Sequence, residues 1–242
     1  MAQFSIEIAG QAAAVTSLFE STPHHFAKYL TDRETDFSIT VRPEDLRFEQ
    51  ADADAEAAEE GFRQRNFPDP FLERAAIQRR FAEHLLDHDT ALLHGSTLAL
   101  DSWGYLFTAR SGTGKSTHTR LWREMFEDRV QMVNDDKPFA QITPAGVTVW
   151  GSPWSGKHGL DSNISVPLAG ICLLERGSEN VIRPAEPSEV KELLKGFRPR
   201  TPEQAAKYAA LLEQLLRQVP LWHMDCTKDP AAAQIAFEAM KK

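Results

Sequence analysis

Leu106-Phe107-Thr108-Ala109-Arg110-Ser111-Gly112-Thr113-Gly114-Lys115-Ser116-Thr117 is the stretch whose reading decides the fold. An apolar run ends in a glycine-rich segment, and Lys-Ser opens a helical pattern that continues over 116–126. Glycines at 112 and 114 let the backbone aim its N–H groups inward with no side chain in the way. A helix starting beside them adds the partial positive charge of its N-terminus. Lys115 can reach β- and γ-phosphates, and the Ser116 hydroxyl suits a hard cation such as Mg²⁺. Strand, glycine loop, Lys-Ser and helix in that order form the phosphate-cradling P-loop pattern. Arg110, Ser111, Gly112, Thr113, Gly114, Lys115, Ser116 and Thr117 are therefore the expected nucleotide-binding residues, with Ser116 also a metal ligand. Position 109 holds alanine where the pattern has glycine. Alanine tolerates positive φ poorly, so the first turn of the loop is expected to be shaped differently.

Upstream of this loop, 91–95 reads as a short buried strand, and 97–101 and 103–109 as two more. Downstream, 130–134 is a strand, 139–142 and 147–150 pair as a hairpin across Thr143-Pro144-Ala145-Gly146, and 168–175 is a strongly apolar strand. Helices are expected over 188–194, 201–218 and 230–240, with a last strand at 219–225. Nearer the N-terminus, 4–8 and 37–42 alternate apolar and polar residues as strands do, and 16–30 reads as irregular or weakly helical. The acidic, alanine-rich run 52–60 reads as a solvated loop or exposed helix, and 72–86 as a helix after Pro68-Asp69-Pro70. The expected fold class is α/β, a mixed β-sheet core with flanking helices and a small N-terminal β-containing segment. The expected organisation is a strand-rich segment over 1–60 packed on a core domain over 61–242.

The strand 130–134 ends in Asn134-Asp135-Asp136-Lys137. Mg²⁺ takes hard oxygen ligands, and an aspartate after an apolar strand is the expected second element of a P-loop site. Adjacent residues on an extended chain point to opposite sides, so only a turn at the strand end would bring both carboxylates to one site. One aspartate could then hold the metal while the other takes a proton from an attacking hydroxyl.

The loop Trp150-Gly151-Ser152-Pro153-Trp154-Ser155-Gly156-Lys157-His158-Gly159 crowds two tryptophans, glycines and cations into a segment of the kind that carries function. Lys157 is a candidate for a phosphate or substrate contact, and Trp154 for stacking on a base or lining an acceptor pocket. Arg120, sharing a helix face with Arg123, is the other candidate contact. Trp122, Phe126, Trp150 and Trp222 are expected in the core, and His158 in solvent.

Composition bounds these readings. The chain has 242 residues, 27 Lys and Arg against 35 Asp and Glu, and a formal net charge of −8. That balance argues against nucleic acid or anionic membrane as the main partner, since both reward basic surface. The two cysteines, Cys172 and Cys226, lie far apart in apolar stretches without metal-ligand spacing, and read as reduced thiols in or near the core. The first residues lack a basic segment and an apolar signal core, and no run approaches a membrane span. A cytoplasmic protein is expected.

His94-Gly95, a strand pair, Ser111-Gly112-Thr113-Gly114-Lys115-Ser116 and then Asn134-Asp135-Asp136 resemble, in this order, HPr kinase/phosphorylase. The Ser-Gly-Thr-Gly-Lys string followed by Asp-Asp also resembles ATP-dependent phosphoenolpyruvate carboxykinase, which shares a nucleotide-binding core with that family. The chain is most similar to the short HPr-kinase-like proteins, over roughly residues 90–180. The resemblance implies a P-loop core of that type, ATP and Mg²⁺ as cofactors, Asp135 as the base toward an acceptor hydroxyl, Asp136 as a metal ligand, and His94 beside the phosphates or the base. The two aspartates could exchange roles. Catalytic residues expected on this footing are Asp135, His94 and Lys115. The expected activity is ATP-dependent transfer of a phosphoryl group to a hydroxyl of a small molecule, peptide or protein serine, with a homo-oligomer compatible with the sequence. A carboxykinase-like lyase acting on an oxo acid and a non-catalytic nucleotide-binding module are the alternatives. The chain is much shorter than a full carboxykinase, and the HPr kinase signature that follows the Asp-Asp strand is not located.

Overall fold

A computed structural model describes residues 1–59 and 61–242. Its elements are, in chain order, β1 Ala2–Ile8, β2 Gln11–Ser17, α1 Thr22–His25, β3 Phe37–Thr40, α2 Pro43–Glu59, α3 Asp69–Leu85, β4 Thr90–Leu92, β5 Ser96–Leu100, β6 Trp103–Thr108, α4 Lys115–Phe126, β7 Val130–Asn134, β8 Phe139–Thr143, β9 Gly146–Trp150, β10 Ser165–Arg176, β11 Val181–Pro184, α5 Pro187–Val190, α6 Pro202–Gln218, β12 Leu221–Cys226 and α7 Ala231–Met240. The class is α/β with mixed sheets. The chain divides into two compact units, Met1–His84 and Leu85–Lys242. None of the described helices is long and apolar enough to cross a membrane.

In the first unit, β1 and β2 form an antiparallel hairpin, with Ile8 opposite Gln11. Ala9 and Gly10 make the turn, both at positive φ (51° and 77°), the backbone that a right-twisted two-residue hairpin demands. Gln11-Ala12-Ala13-Ala14-Val15 carries little strand propensity, and 16–30 is expected to be irregular or weakly helical; pairing to β1, and in parallel to β3, makes Gln11–Ser17 a strand. The acidic run is helical, belonging to α2, which opens at Pro43; its last expected residue, Glu60, lies outside the described residues.

The expected boundary after residue 60 differs from the division at 84/85. The physical reason is that α3 is tied to the elements before it. Arg79 meets Glu49 at 2.7 Å and Asp45 at 3.5 Å, and Arg80 meets Asp45 at 2.6 Å. The fully buried Glu73 accepts from Leu18 N–H and the Thr22 hydroxyl. The buried carboxylates Asp45, Glu49 and Glu73 need these partners, so α3 belongs with α2, α1 and the segment after β2.

In the second unit, strands run in the order β4-β8-β9-β10-β6-β5-β7, with β12 on the other side of β10 and β11 pairing β12. The long β10 joins two regions. Residues Ser165 to Pro167 pair antiparallel with β9, while Leu168 to Leu173 run parallel to β6 and Ile171 to Arg176 parallel to β12. Because β5 is antiparallel to both β6 and β7, those two are parallel to each other, and their carboxyl ends open on one edge. β11 was not expected from the sequence; exposed Val181 and Arg183 give it no apolar alternation to read.

α4 and α7 supply one face of the core over this sheet. Trp122 is fully buried, with ring centroids 5.0 Å from Tyr105, 5.3 Å from Phe107 and 5.4 Å from Phe126. Small residues Ala232, Ala233 and Ala236 let α7 approach closely. Cys172 lies buried in the same cluster and Cys226 at its margin; both are free, and burial raises both thiol pKa values.

Candidate functional site

β6 delivers the glycine loop. Thr108, its last residue, places its hydroxyl 2.8 Å from the Leu193 carbonyl and 3.1 Å from that of His94, which share its single proton, fixing where the strand stops. Ala109 follows, 1% exposed and without positive φ, so alanine sits there without backbone strain. The positive-φ positions are Gly112 (76°) and Gly114 (136°), where a Cβ would be costly. Thr113 N–H donates to the Arg110 carbonyl at 3.1 Å, closing a turn. α4 begins at Lys115, one residue earlier than its sequence pattern suggested, with Ser116 and Thr117 in its first turn.

Lys115 Nζ reaches back across the loop to the Ala109 carbonyl at 3.0 Å. Its pKa is lowered, first by burial; Asp136 opposes that and Lys137 adds to it. An ammonium partly stripped of water suits an anionic ligand.

β7 delivers the aspartates, and Asn134 is the residue that makes this work. Fully buried, it accepts on Oδ1 from the N–H of Asp136 (2.7 Å) and of Lys137 (2.6 Å), an Asx turn that ends the strand. Its Nδ2 donates to the Ser152 carbonyl at 2.8 Å, binding the strand end to the following loop. Asp135 is 6% exposed and accepts from Gly156 N–H at 2.6 Å on Oδ1. Its pKa is raised, chiefly by burial and further by Asp136, against the opposing Gly156 hydrogen bond and the His158 charge.

Asp136 is half-buried, with Oδ1 3.5 Å from His94 Nε2. Burial, and after it the cations Lys137 and Lys115, push the His94 pKa down to about 3. The imidazole is therefore neutral at ordinary pH, and its approach to Asp136 is not an ion pair. Gly95 explains the His-Gly pair: a Cβ there would lie 2.8 Å from Leu106 Cδ2 and 3.0 Å from the Phe107 carbonyl, so only glycine lets this turn pass β6.

The structure thus brings Asp136 together with His94 and Lys115: it lies 3.5 Å from His94 and acts on Lys115. The Asp135 carboxylate turns instead to Gly156 N–H and is coupled to this cluster through the charge of Asp136. The side chains of Arg120, Lys157 and Trp154 are not part of the cluster. Arg120 lies exposed on α4, paired with Glu124 one turn on. Lys157 is exposed in loop 151–163 and makes no hydrogen bond or ion pair among the described residues, whereas its neighbour Gly156 makes the contact to Asp135. Arg110 is exposed at the rim of the loop. Trp154 is not a stacking platform: it is 8% exposed and packs edge-on against Phe139 at 6.2 Å.

Lys137, the turn role of Asn134 and Arg176 are contributors beyond those expected from the sequence. Lys137 adds positive charge beside His94 and Lys115, and immediately follows the aspartates. Asn134 was readable as an Asx residue at a strand end. Arg176, at the end of β10, contacts the carbonyls of Gly112 and Thr113, and no local signal marks it. A cavity of ≈ 490 Å³ opens there, bordered by Arg110, Gly112, Thr113, Glu175, Arg176 and Leu193. Nearby, Glu175, His223 and Asp225 gather their ligand-type atoms within 4.8 Å of one another, but His223 Nδ1 already lies 3.0 Å from Glu189 and 2.9 Å from Arg183, in an ion network joining β10, β11 and β12.

No family model matches the sequence, and no curated protein does. The solved structure of the Hpr(Ser) kinase/phosphatase from Coxiella burnetii is similar to this chain over 62% of its length and 99% of that chain, with 12% identity and a TM-score of 0.37. A likeness at that level carries no argument about what this chain binds or does.

Proposed function

We propose that the chain binds ATP with Mg²⁺ on the loop 110–117 and transfers the γ-phosphoryl group to a hydroxyl, on a P-loop core of the HPr kinase and phosphoenolpyruvate carboxykinase type. The observation that supports this reading is the Asn134 turn, which turns Asp136 off β7 toward His94 and Lys115 and leaves Asp135 next to it on Gly156 N–H, at the carboxyl edge that β6 and β7 share.

The residues fit a divalent cation by the chemistry of their donors. Ser116 and Asp136 offer hard oxygens, and Asp136 raises the Asp135 pKa through like-charge repulsion that a cation would relieve. Mg²⁺ would supply charge neutralisation at the phosphate oxygens.

The protein's own residues divide the remaining work. Backbone N–H groups of the loop and the N-terminus of α4 hold the phosphates. Lys115 donates to the β- and γ-phosphate oxygens and stabilises the charge that builds on them. Asp135 is the base: burial raises its pKa toward a hydroxyl proton's needs, and Gly156 orients its carboxylate. The acceptor O–H bond breaks toward Asp135 as the acceptor oxygen forms a bond to the γ-phosphorus. The bond from that phosphorus to the β–γ bridging oxygen breaks, and ADP leaves with the electron pair. His94, kept neutral, can donate or accept a hydrogen bond beside Asp136 without adding charge. The acceptor is a hydroxyl-bearing small molecule, peptide or protein serine.

The test is transfer from γ-labelled ATP to a panel of small alcohols, serine, nucleosides and serine peptides. Label should move to at least one acceptor with the wild type and to none with Lys115→Ala. Equal transfer by both proteins would sink the proposal.

A further inference from the structure

Arg176 closes β10 and reaches over the glycine loop. Its Nη2 donates to the Gly112 carbonyl at 2.6 Å and its Nε to the Thr113 carbonyl at 3.2 Å. β10 lies beside β6 in parallel, with Leu173 opposite Thr108, so the end of β10 is fixed next to the start of the loop. A guanidinium presents its donors as a rigid planar fork, and two successive carbonyls accept it here.

The consequence follows from the peptide bond. A trans peptide is planar, so its C=O and the N–H of the next residue point in opposite directions. Holding the Gly112 carbonyl turns the Thr113 N–H away from Arg176, and that group is met by the Arg110 carbonyl. Holding the Thr113 carbonyl likewise turns the Gly114 N–H away from Arg176. Both peptide units adjoin glycines at positive φ, where the backbone has the most freedom to lose. An outside clamp therefore has more effect on this segment than it would on ordinary chain.

We propose that Arg176 is a positioning residue: its fork on the Gly112 and Thr113 carbonyls sets the loop in its phosphate-binding form before a triphosphate arrives. This rests on the reading of 110–117 as a triphosphate site. Preorganised donors cost no rearrangement on binding, so losing the clamp weakens the ligand even though Arg176 itself need not touch it.

The test is equilibrium binding of ATP, and separately of inorganic tripolyphosphate, to the full chain and to Arg176→Ala and Arg176→Lys, at low and high salt. Arg176→Ala should raise the Kd of both ligands by the same factor, about tenfold, the scale of one charge-assisted hydrogen bond. Arg176→Ala also removes a cation within a Debye length of the loop and should lose some salt dependence. Arg176→Lys, which keeps the charge, should match the wild type in salt dependence and so isolates the fork. Arg176→Lys should stay weakened, since an ammonium cannot make the fork, and methylguanidinium should restore part of the affinity of Arg176→Ala. Wild-type affinity in Arg176→Ala, or full recovery by Arg176→Lys, would overturn the inference. A wild type that binds neither ATP nor tripolyphosphate would instead remove the reading of the loop, and the role of Arg176 with it.

Discussion

Asp135→Asn separates what this residue does for the fold from what it does for chemistry. The carboxylate is 6% exposed, and its pKa is raised because burial and Asp136 disfavour the charged form more than Gly156 N–H and His158 favour it. The sign of the linkage is the reverse of the usual aspartate. A folded pKa above the unfolded one means that the ionised group is a standing cost at neutral pH, relieved as pH falls through the folded value. Asparagine keeps an oxygen to accept from Gly156 N–H at the 2.6 Å contact and removes the charge. The variant should therefore be more stable at pH 7 by roughly 0.5–2 kcal/mol, the usual gain when a functional group's cost is removed. For a chain of this size that is a rise of about 2–4 °C in thermal midpoint per kcal/mol. The advantage should shrink in acid, as the wild-type carboxyl takes up its proton. Phosphoryl transfer should fall by about 10²–10⁴, the worth of a general base. Thermal unfolding at pH 7 and in acid, alongside label transfer from ATP, reads both effects. A variant less stable than the wild type at pH 7, or one that transfers phosphate at the wild-type rate, refutes the reasoning.

Two further outcomes follow from the same geometry. His94 is held at about 3 and the buried His118, which accepts from Trp122 Nε1 at 3.1 Å, at about 4, both below the ordinary 6.5. The folded chain then binds fewer protons than the unfolded one, so this stability is complete above about pH 6.5 and is lost as pH falls toward those values. For His118 the loss is on the order of 3 kcal/mol. Urea midpoints should drop across that window while the His94 imidazole resonances stay constant from about pH 8 to 5; a His94 titration near 6.5 would contradict the burial account. Gly151→Ala would place a Cβ 1.7 Å from the Ser162 carbonyl oxygen and 2.8 Å from that of Val133, both backbone atoms that cannot step aside. It should cost at least about 1–3 kcal/mol in urea unfolding and lower turnover, because Gly151 begins the segment that delivers Gly156 to Asp135; wild-type stability would contradict the packing.

Much of the site could be read directly from the residues, for local reasons. Gly112 and Gly114 mark a backbone that needs positive φ, Lys115-Ser116 opens a helix beside them, and Asn134-Asp135-Asp136 turns off an apolar strand. Each is a short-range pattern with its own physical cause. What stayed hidden depends on contacts between distant parts of the chain. Arg176 is an ordinary basic residue at a strand end until the parallel pairing of β10 with β6 places it over the loop. Lys157 is a candidate from its loop, yet it lies in solvent, while Lys137, next to the Asn134 turn, acts on His94 and Lys115. Trp154 sat in a loop that looked exposed, and Phe139 buries it. β2 lacks strand propensity and is recruited by its neighbours, and α3 joins the first unit through Arg79 and Arg80.

The most direct test of the account is a calorimetric titration of ATP with Mg²⁺ into the wild type and into Lys115→Ala. Lys115 spans the loop at 3.0 Å from the Ala109 carbonyl, where a bound triphosphate would meet its ammonium. The account predicts saturable binding by the wild type at one site per chain. In Lys115→Ala the affinity should fall by about tenfold or more, for loss of a charge-assisted contact to phosphate. Binding of equal strength in the two proteins, or no binding by the wild type, would contradict the claim that 110–117 is a triphosphate site.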